Sequence, residues 1–159
     1  MSTRSDGIVL HRADRIEDIP PRTFYGIARL RQEVFVVEQA CVYLDLDGRD
    51  LEPGAIQLWA EPSTSSGEGG EVIGTVRILD ETDREPGLRS IGRVVTARSS
   101  RGRGIAARLL NAAIEACEGH PVLIHAQSQL AGWYAGFGFA PSGEEFVEDG
   151  IPHTPMRRE

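Results

Sequence analysis

The chain has 159 residues and a mass of 17.4 kDa, enough for one domain with one core, and its 40% apolar and 26% charged residues match a folded globular protein. No apolar run approaches the roughly 20 residues that cross a bilayer, and the polar start Met1–Gly7 carries no export signal, so a cytoplasmic protein without a membrane span is expected. The formal charge of −7, with arginine as every basic residue, repels phosphate backbones, disfavours general nucleic-acid binding and favours amine substrates.

In chain order, Ile8 to His11 is a β-prone start. Phe24, Ile27, Leu30, Val34 and Val37 recur at three- and four-residue steps, which predicts a helix over 21–37. Strands are predicted over 56–60, 72–79 and 88–96, with the low-complexity stretch 62–70 as a flexible hairpin loop between the first two. Ile105, Leu109, Ala112, Ala113 and Ala116 form one stripe, predicting a helix over 101–117 that stops at Gly119. Val122 to Ala126 has the short apolar composition of a buried parallel strand. A short helix over 129–135 and strand-like segments at 137–140 and 153–157 complete the chain. A meander followed by a βαβ unit predicts an α/β fold, a mixed sheet with helices on both faces, as a single domain over 1–159. Ligand crevices in such sheets open beyond the carboxyl ends of parallel strands, which points at residues 94–106.

That segment joins a strand to the best helix through a loop with two glycines and three arginines. Glycine lets backbone N–H groups approach an anion, and a helix N-terminus adds favourable partial charge. Arg98, Arg101 and Arg103 add forked donors suited to phosphate. A diphosphate site follows, with a plain helix start edged by solvated arginines as its rival. Neither a Walker loop nor the dinucleotide fingerprint fits the spacing.

Arg101-Gly-Arg-Gly-Ile-Ala106 resembles the Arg/Gln-x-x-Gly-x-Gly/Ala acyl-CoA loop of the GNAT superfamily of N-acyltransferases, and Tyr134 followed by Gly138-Phe139 is similar to its later signature. Leu30 to Gln39, Cys41 to Gly48 and Asp149 to His153 resemble the ElaA-like subgroup. The resemblance implies a seven-stranded mixed sheet splayed in the middle, with acetyl-CoA as acyl donor in the gap. It implies backbone contacts from Val94, Val95 and Thr96 to the pantetheine arm. It places the amides of Arg101, Gly102, Arg103, Gly104, Ile105 and Ala106 around the diphosphate. Tyr134 is then the general acid at the sulfur, and Gln127 stands where many members carry Asn. The implied reaction is N-acetyl transfer to a small or peptidyl primary amine. A non-catalytic acyl-CoA-binding module and an acyl-homoserine-lactone-synthase-like enzyme are the alternatives, and a homodimer is left open.

Direct transfer needs a neutral amine and a protonated leaving sulfur. An amine with a pKa of about 10.4 needs a base at neutral pH, whereas Cys41 and Cys117 are not required as nucleophiles. Glu38, at the end of the apolar run Val34 to Val37, is the first candidate base, with a structural Glu pairing to Arg31 as its rival reading. His153 is the second candidate and a substrate-binding residue. His125, inside an apolar run, reads as a core histidine. Asp45 and Asp47 read either as an amine-facing rim or as a solvated turn, and Gly48 is misplaced for a calcium loop. No metal is expected, because no His/Cys cluster has ligand spacing.

Overall fold

A computed structural model describes residues 7–64 and 71–159. Most of the predicted 62–70 loop therefore lies outside the described residues. The strands are β1 (Ile8–Ala13), β2 (Ile56–Pro62), β3 (Gly74–Asp80), β4 (Arg89–Thr96), β5 (Val122–Gln127), β6 (Ala140–Pro141), β7 (Phe146–Glu148) and β8 (Ile151–Arg158). The helices are α1 (Pro21–Arg31), α2 (Ile105–Ala116) and α3 (Ala131–Ala135). All strands join one sheet in the order β1-β2-β3-β4-β5-β8-β6, with β7 also on β8.

The expected seven-stranded mixed sheet is present, written in eight segments. Ala140 pairs with Arg157 and Phe146 with His153, so β6 and β7 run along the same edge of β8. They are two halves of one edge strand, offset by two residues across 142–145. The predicted last strand does not close the sheet; β8 lies inside it, between β5 and that broken edge.

Helices cover both faces. Ile105, Leu109, Leu110 and Ala113 of α2 are buried against Ile8, Val76, Ile124 and Met156. Each such Ile or Leu contributes about 1.5–3 kcal/mol through burial. A side chain at Gly74 would meet Ile105 Cγ2 at 2.8 Å, so glycine there lets α2 lie close on β3. On the other face, Ile27 and Leu30 of α1 pack with Trp59, Val72 and Val95.

Two predicted helices differ at their ends. The first is α-helical only to Arg31 and continues as a π-helix over Gln32–Glu38, where the Gln39 N–H donates to the Val34 carbonyl at 2.9 Å. The run Val34-Phe-Val-Val37 is β-branched and aromatic, which weakens α-helical packing. The second begins at Ile105 rather than 101, because Gly102 and Gly104 take φ of 83° and 74°. That left-handed backbone favours glycine and cannot propagate a right-handed helix.

Candidate active site

β4 and β5 form the parallel pair of the sheet, bridged only at Arg89–Val122 and Ser90–Leu123. Beyond those two positions the strands part, and a cleft of about 730 Å³ opens between them. β4 from Ser90 to Thr96 forms one wall, and Leu123, His125 and Gln127 of β5 form another. Arg101 and Ala106 border one end, and Trp133 and Tyr134 of α3 also face it.

A bulge in β4 decides which backbone groups look into this gap. Thr75 pairs with Val95 but Arg77 with Gly92, so Arg93 and Val94 together oppose Val76. Arg93 takes φ of 55° there. Before the bulge, the Glu81 N–H donates to Leu88; after it, the Ala97 N–H donates to Ile73, both at 2.9 Å. Antiparallel ladders alternate, so Gly92 and Val95 direct their N–H and C=O toward β3. Val94 and Thr96 direct theirs into the gap. Of the three expected backbone contacts, Val95 is therefore excluded: its polar groups belong to the β3 ladder, and its side chain is buried among Val34, Trp59 and Val72.

The glycine–arginine loop ends β4 and starts α2. The Arg108 N–H donates to the Gly104 carbonyl at 3.1 Å, leaving the N–H groups of Ile105 to Ala107 without partners inside the helix. Gly102, Arg103 and Gly104 are exposed, and Ala106 reaches the cleft. The Arg101 guanidinium donates from Nε to the Thr96 carbonyl at 3.3 Å.

Arg101 also corrects the reading of Glu38. Its two terminal nitrogens hold the Glu38 carboxylate at 2.8 and 2.9 Å. Hydrogen bonding from Arg101, followed by the charges of Arg101 and Arg98, lowers the Glu38 carboxyl below its usual range. A carboxylate so stabilised is a weak base, and Glu38 borders the loop rather than the cleft lining. The sequence-level rival, a pair with Arg31, is also wrong, because Arg31 is engaged elsewhere.

Asp45 and Asp47 are neither of them free carboxylates in a solvated turn; both are held by arginines, and Asp47 lines the cleft. Asp45 accepts from Arg31 Nε and lies against Arg93 Nε, both at 2.8 Å, while Asp47 accepts from Arg77 at 2.9 Å and Arg93 at 3.2 Å. Burial would raise the Asp47 carboxyl, but hydrogen bonds from Arg77 and the Arg49 N–H, with nearby arginine charge, bring it down to about 2. Asp50 completes this three-arginine, three-aspartate network through Arg31 at 2.7 Å. Only one trace of it is visible in sequence: Arg77 interrupts the apolar run Val72 to Leu79.

Gln127 ends β5, with its amide between Gln39 (3.3 Å) and Gln129 (2.9 Å). Tyr134 is buried, its ring edge-on to Trp133 at 4.9 Å and Phe139 at 6.2 Å. Burial pushes its phenol up to about 12, so the proton stays on at neutral pH. His153 on β8 lines the cleft and lies 2.8 Å from the Ile151 carbonyl through Nδ1. His125 is the residue that sequence reasoning missed. It is exposed rather than in the core and faces the cleft, because the β4–β5 splay leaves that stretch of β5 uncovered. Burial pushes the Cys117 thiol up to about 11 at the end of α2, outside the cleft lining, whereas Cys41 lines the cleft with its thiol directed at the Gln39 and Asp149 carbonyls.

The model of the acetyltransferase (GNAT) domain matches residues 63–159. The UPF0039 protein Rv2851c of Mycobacterium tuberculosis is 44% identical over 142 residues, covering 89% of this chain and 88% of its own. The crystal structure of Escherichia coli ElaA has a TM-score of 0.83 at 32% identity, over 96% of this chain and 99% of that one. An acyl-CoA N-acyltransferase from Pseudomonas aeruginosa has a TM-score of 0.85 at 35% identity, with the same coverage. A CoA-dependent acyl-homoserine lactone synthase, BjaI, shares the fold at 16% identity, with a TM-score of 0.73 over 95% of this chain and 82% of that one.

Proposed function

Because this chain belongs to the GNAT acetyltransferase family, in its ElaA-like branch, we propose that it transfers an acetyl group from acetyl-CoA to a primary amine, small or peptidyl, by direct attack. The observation that carries this reading is the splayed β4–β5 pair with the glycine loop and α2 at its end. The open backbone of Val94 and the N–H of Thr96 suit an extended amide-bearing chain, while the Thr96 carbonyl accepts from Arg101. The loop from Arg101 to Ala106 suits a diphosphate, through the first N–H groups of α2, its partial positive charge and the guanidinium of Arg101. A diphosphate there competes with Glu38 for Arg101.

Bound acyl-CoA supplies the thioester. The amine nitrogen forms the new bond to the carbonyl carbon as the carbon–sulfur bond breaks, and the sulfur leaves with a proton. Tyr134, neutral at working pH, is suited to donate that proton, and buried Cys117 has no part. Oligomeric state does not enter this chemistry.

Incubating the protein with acetyl-CoA and a panel of primary amines, while following thiol release and the mass of each amine, tests the reading. Thiol and acetylated amine are expected to appear one for one. Binding of acetyl-CoA without acetylation of any amine favours the acyl-CoA-binding alternative. Transfer to a sulfonium-bearing amino acid with lactone formation favours the homoserine-lactone alternative.

A further inference from the structure

We infer that His153 is the general base of the transfer, with Nε2 as the atom that takes the acceptor's proton. The inference rests on the acyl-transfer reading above. It follows first from what the other groups around the cleft are doing. Asp47 and Glu81 line the cleft but are held by Arg77 and Arg49. Tyr43 and Tyr134 are phenols pushed up to about 12 by burial, which makes them proton donors. The Cys41 thiol is turned to two backbone carbonyls.

The imidazole of His153 has the opposite arrangement. Its Nδ1 lies 2.8 Å from the Ile151 carbonyl oxygen, which can only accept. Nδ1 therefore carries the proton of the neutral ring, and Nε2 keeps its lone pair. Strand pairing holds the ring: His153 stands opposite Gln127 of β5 on one side and Phe146 of β7 on the other. It stacks on Phe146 with ring centres 5.6 Å apart and planes 19° apart. A fixed tautomer and a fixed plane are what an oriented base needs.

The charged and titratable neighbours come from several elements. His125 of β5 meets Phe146 edge-on at 5.2 Å, and partial desolvation by the surrounding cleft wall lowers its pKa. Glu148 of β7 and Asp149 in the following turn bring acidic groups to the same lining, and Arg84, near His125, brings a basic one. Cys41, Tyr43 and Tyr134 complete the titratable lining.

His153→Asn tests this in the full chain, because its amide N–H can keep the bond to the Ile151 carbonyl while Nε2 is removed. With acetyl-CoA saturating and an acceptor from the panel, kcat/KM is followed against pH. The variant is expected to fall about 10²-fold at neutral pH and to regain rate at high pH, where the amine is already neutral. Its affinity for CoA is expected to match wild type, and Glu38→Gln is expected to retain the wild-type midpoint. A His153→Asn profile parallel to wild type overturns the assignment, while an inactive wild type overturns the transfer reading itself. Nitrogen NMR of the free protein checks the assignment without any acceptor. Proton on Nδ1 with bare Nε2 supports it, and the reverse tautomer contradicts it.

Discussion

Arg31→Met is expected to destabilise the protein by about 3–5 kcal/mol, because it leaves buried carboxylates without their cation. Arg31 is fully buried at the end of α1 and holds Asp45 through Nε at 2.8 Å and Asp50 through Nη1 at 2.7 Å. Both aspartates are themselves buried, and after the change Arg77 and Arg93 alone must balance Asp45, Asp47 and Asp50. Methionine fills much of the volume, so the loss reports charge rather than a cavity. For a chain of this size Tm is expected to fall by roughly 6–20 °C. Adding Asp50→Asn to the variant is expected to restore part of the loss. A Tm within a degree or two of wild type would show that the network does not stabilise the fold. Acid acts on the same network. Asp47 is held down to about 2 in the fold, so its contribution is complete above the unfolded value of about 3.9 and is lost as pH falls toward 2.

Tyr134→Phe is expected to lower kcat about 10²-fold while the affinity for CoA stays constant. The substitution keeps the ring in its edge-on contacts with Trp133 and Phe139 and removes only the hydroxyl. With its phenol lifted to about 12 by burial, Tyr134 is fully protonated at neutral pH, the form that the proposed donation to the departing sulfur requires. Stopped-flow thiol release at saturating acetyl-CoA and amine measures the effect. An unchanged kcat would make Tyr134 a packing residue of the α3 cluster.

What the sequence disclosed and what it hid divide along the distance between partners. The α2 stripe, the strand runs and the glycine pair at 102 and 104 are local signals, and they located both the sheet and the mouth of its cleft. The pairing of Glu38 with Arg101 stayed hidden because the two lie 63 positions apart. The arginine partners of Asp45 and Asp47 stayed hidden because Arg31 precedes Asp45 by 14 positions and Arg77 follows Asp47 by 30. His125 looked like core because a parallel strand is normally covered on both faces. The β4–β5 splay exposes it, and neither strand's own residues encode that opening. The π-helix at 32–38 arises where α-helical periodicity meets β-branched residues and a buried arginine anchor.

Calorimetric titration with acetyl-CoA of wild type beside Gly104→Asp and Gly104→Asn tests the central claim, that the β4–β5 gap and its loop hold acyl-CoA. Gly104 has φ of 74° and open space where a side chain would project, and Asp and Asn tolerate that backbone better than other residues. The two variants share shape and strain and differ in charge at the start of α2. Wild type is expected to bind one acetyl-CoA per chain, Gly104→Asn to bind more weakly, and Gly104→Asp to lose binding by at least a further factor of about ten, because its carboxylate repels the diphosphate and competes with it for the positive start of α2. Absence of binding in wild type, or equal binding by Gly104→Asp, would contradict the account.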